Sequence, residues 1–219
     1  MQMKKILLSL TACLALLAGC SIDNYDEPDA AISGGIYDSQ TQELIPAQAP
    51  NGARVQIVQD GYQQPTNFWC KPDGTFQNTR LFAGKYKLTV QGPFVASTIT
   101  EQAVNIPASD VKVMVEPYLR IKATATLTGN NIEVTYTVNQ NSKSEGTVSE
   151  VKILCGNTIG LSSTTAKKQV TVSTTDQPLG TQHQVTIENV DTKNAIYVRV
   201  AAKTSETPYY NYSTLLKLK

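Results

Sequence analysis

The sequence predicts an all-β protein of two consecutive β-sandwich domains behind an N-terminal export signal. Three observations carry this. Past about residue 30, apolar residues recur with period two and no stretch keeps a helical period, which is the signature of half-buried strands. Turn-forming pairs, among them Asn51-Gly52, Asp60-Gly61, Pro72-Asp73-Gly74 and Gly92-Pro93, punctuate the alternation at short intervals. Glu116-Pro117-Tyr118 divides the strand-like runs into two sets, because proline lacks the N–H a ladder needs. The 200 residues left after the first nineteen suit one large or two small cores.

The first set lies between Ala31 and Glu116. Ile32 to Asp38 is one candidate strand. In Arg54 to Asp60, Val55 and Ile57 oppose Gln56; in Lys85 to Gln91, Tyr86, Leu88 and Val90 alternate with Lys87, Thr89 and Gln91. Val111, Val113 and Val115 alternate with Lys112, Met114 and Glu116. Asp73-Gly74 supports a tight turn, Phe76 is expected to point inward, and Gly84 permits a sharp entry into the strand that follows. Pro72-Asp73-Gly74-Thr75-Phe76 and Leu81-Phe82-Ala83-Gly84-Lys85-Tyr86-Lys87-Leu88-Thr89-Val90 resemble the carboxypeptidase-regulatory, transthyretin-like β-sandwich. That resemblance spans residues 30–116 and implies a spacer or binding module.

The second set, residues 117–219, begins at once after a very short linker, so the domains are expected to pack end to end. Leu119, Ile121, Ala123, Ala125 and Leu127 alternate with polar residues, Gly129-Asn130-Asn131 turns the chain, and Ile132, Val134, Tyr136 and Val138 follow. Val148 to Cys155, Gln169 to Thr174, Gln182 to Val190, Ala195 to Lys203 and Leu215 to Lys219 complete seven candidate strands. Their number and length fit a fibronectin-III-like or immunoglobulin-like sandwich. Ile196-Tyr197-Val198-Arg199-Val200-Ala201-Ala202 resembles the penultimate strand of a fibronectin type III domain, with Ile196 where that family places its corner tyrosine. Asn139 to Thr147 reads as a polar loop.

Ahead of both domains, Lys4 and Lys5 precede an apolar run from Ile6 to Ala18, too short to span a bilayer. Residues 1–19 therefore read as a signal peptide. Leu17-Ala18-Gly19-Cys20 resembles a bacterial lipobox, which implies that Cys20 becomes a triply acylated N-terminus. One chain holds a protein to a membrane only marginally, whereas three make release negligible. Residues 20–29 form an acidic tether (Asp23, Asp26, Glu27, Asp29), and no Lys or Arg occurs between Cys20 and Arg54. Such a cluster behind the lipid cysteine resembles the export signal of Bacteroidetes-type surface lipoproteins. From Cys20 to Pro28 the tether reaches at most about 30 Å.

Charge and cysteine usage exclude several classes. Loss of Lys4 and Lys5 turns the formal net charge of +1 into −1, which gives no electrostatic case for nucleic acid. Cys13 leaves with the signal. Cys70 and Cys155 fall in different domains and are read as buried free thiols rather than a disulfide. Neither C-x-x-C nor His/Cys ligand spacing occurs, so no metal or other cofactor is expected. His183, the sole histidine, is expected on a strand surface. No H-E-x-x-H, G-x-S-x-G or phosphate-cradling glycine loop appears, so the chain is read as a non-enzyme.

The aromatic residues are what remain as candidate binding groups. Phe68 and Trp69 follow a loop-like stretch from Tyr62 to Asn67; Tyr209, Tyr210, Asn211 and Tyr212 follow Pro208. An aromatic face takes the apolar C–H side of a sugar while neighbouring amides take its hydroxyls. Lipobox, acidic tether and the two sandwich types together resemble a family of Bacteroidetes surface lipoproteins of unknown function, encoded beside starch-utilisation-type glycan importers. The resemblance implies an outer-membrane accessory protein whose partners are the membrane, through its lipid, glycans, and a transporter complex. The alternative is a structural or adhesive surface protein that binds another protein by edge-strand pairing.

Overall fold

The structure, a computed structural model, describes residues 27–174 and 178–219. The signal peptide, Cys20 and the tether as far as Asp26 lie outside the described residues. Among those described there is no α-helix, and no helix long and apolar enough to cross a membrane.

The first domain holds seven strands: β1 (Ala30–Asp38), β2 (Arg54–Gln59), β3 (Thr66–Trp69), β4 (Thr75–Leu81), β5 (Gly84–Gln91), β6 (Gln102–Ile106) and β7 (Ala108–Val115). They form two sheets, ordered β4-β1-β7 and β3-β2-β5-β6. The β1–β7 pair is parallel and all other pairs are antiparallel. Ile32, Ile36, Val55, Ile57, Phe76, Tyr86, Leu88, Val90, Val113 and Val115 fill the space between the sheets. Gly74 turns the chain with φ +90°, and a Cβ there would lie 2.3 Å from the Ile45 carbonyl oxygen, so only glycine fits.

Three of these strands were not expected from the sequence. In β4 only Phe76 and Leu81 are buried, separated by polar residues, and its register with β1 shifts between Ala30 and Ile32. A bulge of that kind breaks the alternation. In β6 only Ile106 is buried, and β3 begins inside the stretch read as a loop.

The second domain holds β8 (Leu119–Thr128), β9 (Asn131–Gln140), β10 (Val148–Gly156), β11 (Lys168–Val172), β12 (His183–Ile187), β13 (Tyr197–Thr204), β14 (Asn211–Tyr212) and β15 (Leu216–Lys217). One sheet runs β12-β9-β8; the other runs β11-β10-β13, with β14 and β15 both pairing with β13. Val198, Val200 and Ala202 face the core, yet Arg199 and Ala201 between them are also buried. The outer face of β13 is covered as well, which replaces alternation with a continuous buried run.

The register fixes direction. β1 ends at Asp38, which bonds Arg120 of the second domain, and starts at Ala30 beside Leu81. The first domain therefore has a near end against the second domain and a far end where the chain enters.

Candidate functional site

The outer face of the β3-β2-β5-β6 sheet is built by residues out of phase with the core. Val55, Ile57, Leu88 and Val90 point inward, so Arg54, Gln56, Thr89 and Gln91 must point outward. On the edge strand β3, Trp69 stands opposite Arg54 and Asn67 opposite Gln56. Two cross-strand rows result: Trp69–Arg54–Gln91 and Asn67–Gln56–Thr89. Three strands and two rows give a platform about 10 Å wide and about 7 Å along the strands.

Trp69 is 38% exposed. The Arg54 guanidinium lies 5.9 Å from its ring centroid and donates from Nε to Gln91 Oε1 at 2.9 Å. Gln56 Nε2 donates to Asn67 Oδ1 at 3.2 Å. These bonds hold the side chains in place while leaving capacity: the Gln91 and Asn67 amide nitrogens can still donate, and Gln56 Oε1 can still accept. Because β3 is the sheet edge, no strand among the described residues covers Trp69 on the side away from Arg54. The surface is thus a fixed indole beside donors and acceptors, suited to a polyhydroxylated ligand with an apolar face.

The other candidates separate. Phe68 turns into the core, 6.0 Å from the Phe76 ring, and is removed from the binding set. Tyr62 is 67% exposed but sits in the β2–β3 turn at the far end, away from Trp69.

The Pro208–Tyr212 stretch is largely a structural seam, contrary to its reading as an exposed loop. Asn211 and Tyr212 form β14 against Ala202 and Ala201 and are buried. Asn211 Oδ1 accepts from Leu119 N at 3.0 Å, and its Nδ2 donates to Pro93 O at 3.0 Å. Tyr212 donates to Gln48 Oε1 of the first domain at 2.8 Å. Its ring lies under the Arg199 guanidinium, 4.3 Å from the centroid.

Arg199, 1% exposed, donates to the carbonyls of Ser213 (2.9 Å), Ala47 (3.0 Å), Leu161 (3.2 Å) and Pro72 (2.9 Å), the second and last of which belong to the first domain. Burial pulls its pKa down to about 10, so it stays charged at neutral pH. Asp38, Glu116 and Arg120 continue the seam: Arg120 Nη2 donates to Asp38 Oδ1 at 2.9 Å, and Lys143 and Asn141 bond Glu116.

Tyr209 and Tyr210 are half-buried. Tyr210 donates to Glu150, accepts from Lys152 Nζ at 3.2 Å, and has Lys203 Nζ 5.0 Å from its ring centroid. Its ring is therefore attended by cations of its own chain. What the sequence reading missed is the set Arg54, Gln56, Asn67, Thr89 and Gln91. The alternation that located Val55 and Val90 contained Arg54, Gln56, Thr89 and Gln91, whereas Asn67 lay in the stretch read as a loop.

Other chemistry is sparse. His183 shares the inward register of β12 with Val185 and Ile187, is half-buried, and lies 5.7 Å from the Tyr136 ring, which corrects its placement on the strand surface. Cys70 and Cys155 are buried and unpaired; burial and the Asp73 charge push the Cys70 thiol up to about 12. No group of three or more His, Cys, Asp or Glu that could hold a metal occurs among the described residues. A groove of about 860 Å³ at the seam is lined by Leu44, Pro46, Pro72, Ile159 and Leu215, and is mostly apolar. Glu43, Lys71, Asp73 and Thr214 supply its polar lining, and it holds no aromatic ring of the kind the Trp69 platform presents.

Fold and surface together define a class: a two-domain, all-β protein whose most exposed organised chemistry is aromatic and amide. The chain belongs to the DUF3823 family. Its residues 30–116 match the N-terminal domain of that protein family of unknown function, and residues 118–217 match the domain of unknown function DUF3823_C.

Solved structures of similar fold include a DUF3823 family protein from Parabacteroides merdae (22% identity, TM-score 0.76, 89% of this chain and 100% of that one). Another is a DUF3823 family protein from Bacteroides ovatus (20% identity, TM-score 0.74, 86% and 98%). A third, from Bacteroides uniformis, is described as a candidate carbohydrate-binding protein (21% identity, TM-score 0.73, 88% and 99%). No curated protein matches the chain.

Proposed function

We propose that this protein is a non-catalytic, lipid-anchored accessory protein of a polysaccharide-utilisation system, displayed on the outer-membrane surface, and that it binds glycan through the Trp69 platform. The observation that carries the reading is an exposed indole in a row with Arg54 and Gln91, beside a second row of Asn67, Gln56 and Thr89, on the outer face of the sheet. The carbohydrate-binding description of the Bacteroides uniformis relative supports it. The lipobox at Cys20 and the acids behind it support the anchor and the display; the transthyretin-like and fibronectin-like patterns support the two domain types. Stacking contributes on the order of 0.5–1.5 kcal/mol per ring beyond area burial, so one platform gives micromolar to millimolar affinity.

Calorimetric titration against host and plant glycans tests this. Binding that Trp69→Ala abolishes at an unchanged melting temperature is the expected result. No binding to any glycan would overturn it and favour the protein-partner reading, for which the free edge of β3 offers a strand to pair with. Protease treatment of intact cells tests display: cleavage is expected, and full protection beside a cleaved surface lipoprotein would contradict it.

A further inference from the structure

Two of the large apolar side chains that face solvent lie at the far end of the first domain. Tyr62 is 67% exposed in the β2–β3 turn and Phe82 is 47% exposed in the β4–β5 connection. The turns are tied together there. Asp60 N donates to Lys85 O at 2.9 Å, Tyr62 N to Gln59 O at 3.0 Å, and the Tyr86 hydroxyl to Phe82 O at 2.9 Å. Two rings are thus held on one surface by hydrogen-bonded turns rather than on free loops. The chain enters at this same end, since Ala30 pairs with Leu81, the residue before Phe82. Ala30 lies ten positions past Cys20, a reach of at most about 36 Å.

We propose that this tip rests on the membrane, with Tyr62 and Phe82 seated in the lipid–water interface and the second domain pointing away. The inference rests on the lipid anchor at Cys20 and goes beyond it. A tether alone lets the domain tumble at any angle, whereas interfacial aromatics select one orientation. The amphipathic ring of Tyr62 favours the headgroup level, and insertion of the apolar Phe82 ring adds to the hold of a lipid chain. Charge is not what selects the surface, because Arg80 and Lys85 at the tip are offset by Asp60 and by Asp29 of the tether. This orientation lifts the Trp69 platform, at the near end of its sheet, clear of the bilayer.

The test uses the full-length lipidated protein in phosphatidylcholine vesicles, with a nitroxide on Ala83→Cys at the tip or Asn130→Cys in the β8–β9 turn. Cys70 and Cys155 are buried, and protein without the introduced cysteine sets their background. Accessibility to oxygen and to a water-soluble nickel chelate is read by power saturation.

The expected result is an oxygen-to-nickel ratio several-fold higher at residue 83 than at residue 130, falling to the residue 130 value when Tyr62→Ser and Phe82→Ser are combined. Equal ratios at both sites in protein that floats with the vesicles would overturn the proposal and leave the anchor standing. Protein that fails to float would remove both. Glycan titration of the same preparation reads the Trp69 platform separately.

Discussion

Two stretches of this chain carry the same kind of sequence and end in opposite places. Asn67-Phe68-Trp69 and Tyr210-Asn211-Tyr212 each set an amide among aromatic residues. The first lies on an edge strand with one face of its sheet open, and its Trp69 and Asn67 stay accessible. The second pairs with β13, whose outer face is covered by the first domain, and its amide and phenol become interdomain bonds. Side-chain chemistry suits both roles. What decides is whether another layer covers the face, and that is a tertiary property no local pattern contains.

If the second stretch is a seam, breaking it costs stability. The largest effect is expected from Arg199→Ala, which leaves several buried carbonyls without a donor. Ser213, Ala47 and Leu161 lose their donor, while the Pro72 carbonyl keeps the Ala47 N–H. Each such group costs about 1–3 kcal/mol, so a loss of at least about 3 kcal/mol is expected in urea unfolding. The single transition of the parent is expected to separate into two as the domains uncouple. A loss under about 1 kcal/mol with one transition would show that the seam contributes little.

A smaller effect is expected from acid. Burial pushes Glu150 and Asp38 up, but donors reverse this. Lys152, Tyr210 and Lys203 hold Glu150 down at about 2, and Arg120 with the Gln40 amide holds Asp38 below its ordinary value. A carboxyl depressed in the folded state binds fewer protons there than in the unfolded chain. Its stabilisation is therefore present above the ordinary value of 4.5 for Glu150 and is lost as pH falls toward about 2. Glu150→Gln is expected to flatten the melting temperature across that window. An unchanged slope would contradict the Glu150 cluster with Lys152, Tyr210 and Lys203.

Smaller again is Tyr212→Phe, which removes the hydrogen bond to Gln48 and two long contacts with Ser163, and is expected to cost about 1–2 kcal/mol. Trp69→Ala is expected to cost less than about 1 kcal/mol, since its organised contact is an exposed cation–π pair. Reversal of that order would mean that Trp69 is the packed residue and Tyr212 the free one.

Much of this was legible from the residues. Alternation located β2, β5, β7, β8 and β9 and the side each presents to the core, and Pro117 marked where the sheets change. The elements that escaped have physical reasons. β4 carries a bulge and a polar interior, β14 is two residues long, and Arg199 reads as an outward residue until the first domain is placed over it. Of the binding candidates, Trp69 kept its exposure because it is out of phase with Phe68. Its partners Arg54 and Gln91 were visible in the same alternation but meet only across strands.

Trp69 is the sole tryptophan of the chain, so its emission reports the platform without a label. The most direct test is to titrate the protein with each glycan that calorimetry detects and follow that emission. The account predicts a saturable change in tryptophan emission with the same midpoint as the heat signal, weakened by Gln91→Ala. Glycan binding by calorimetry with tryptophan emission unmoved would contradict it.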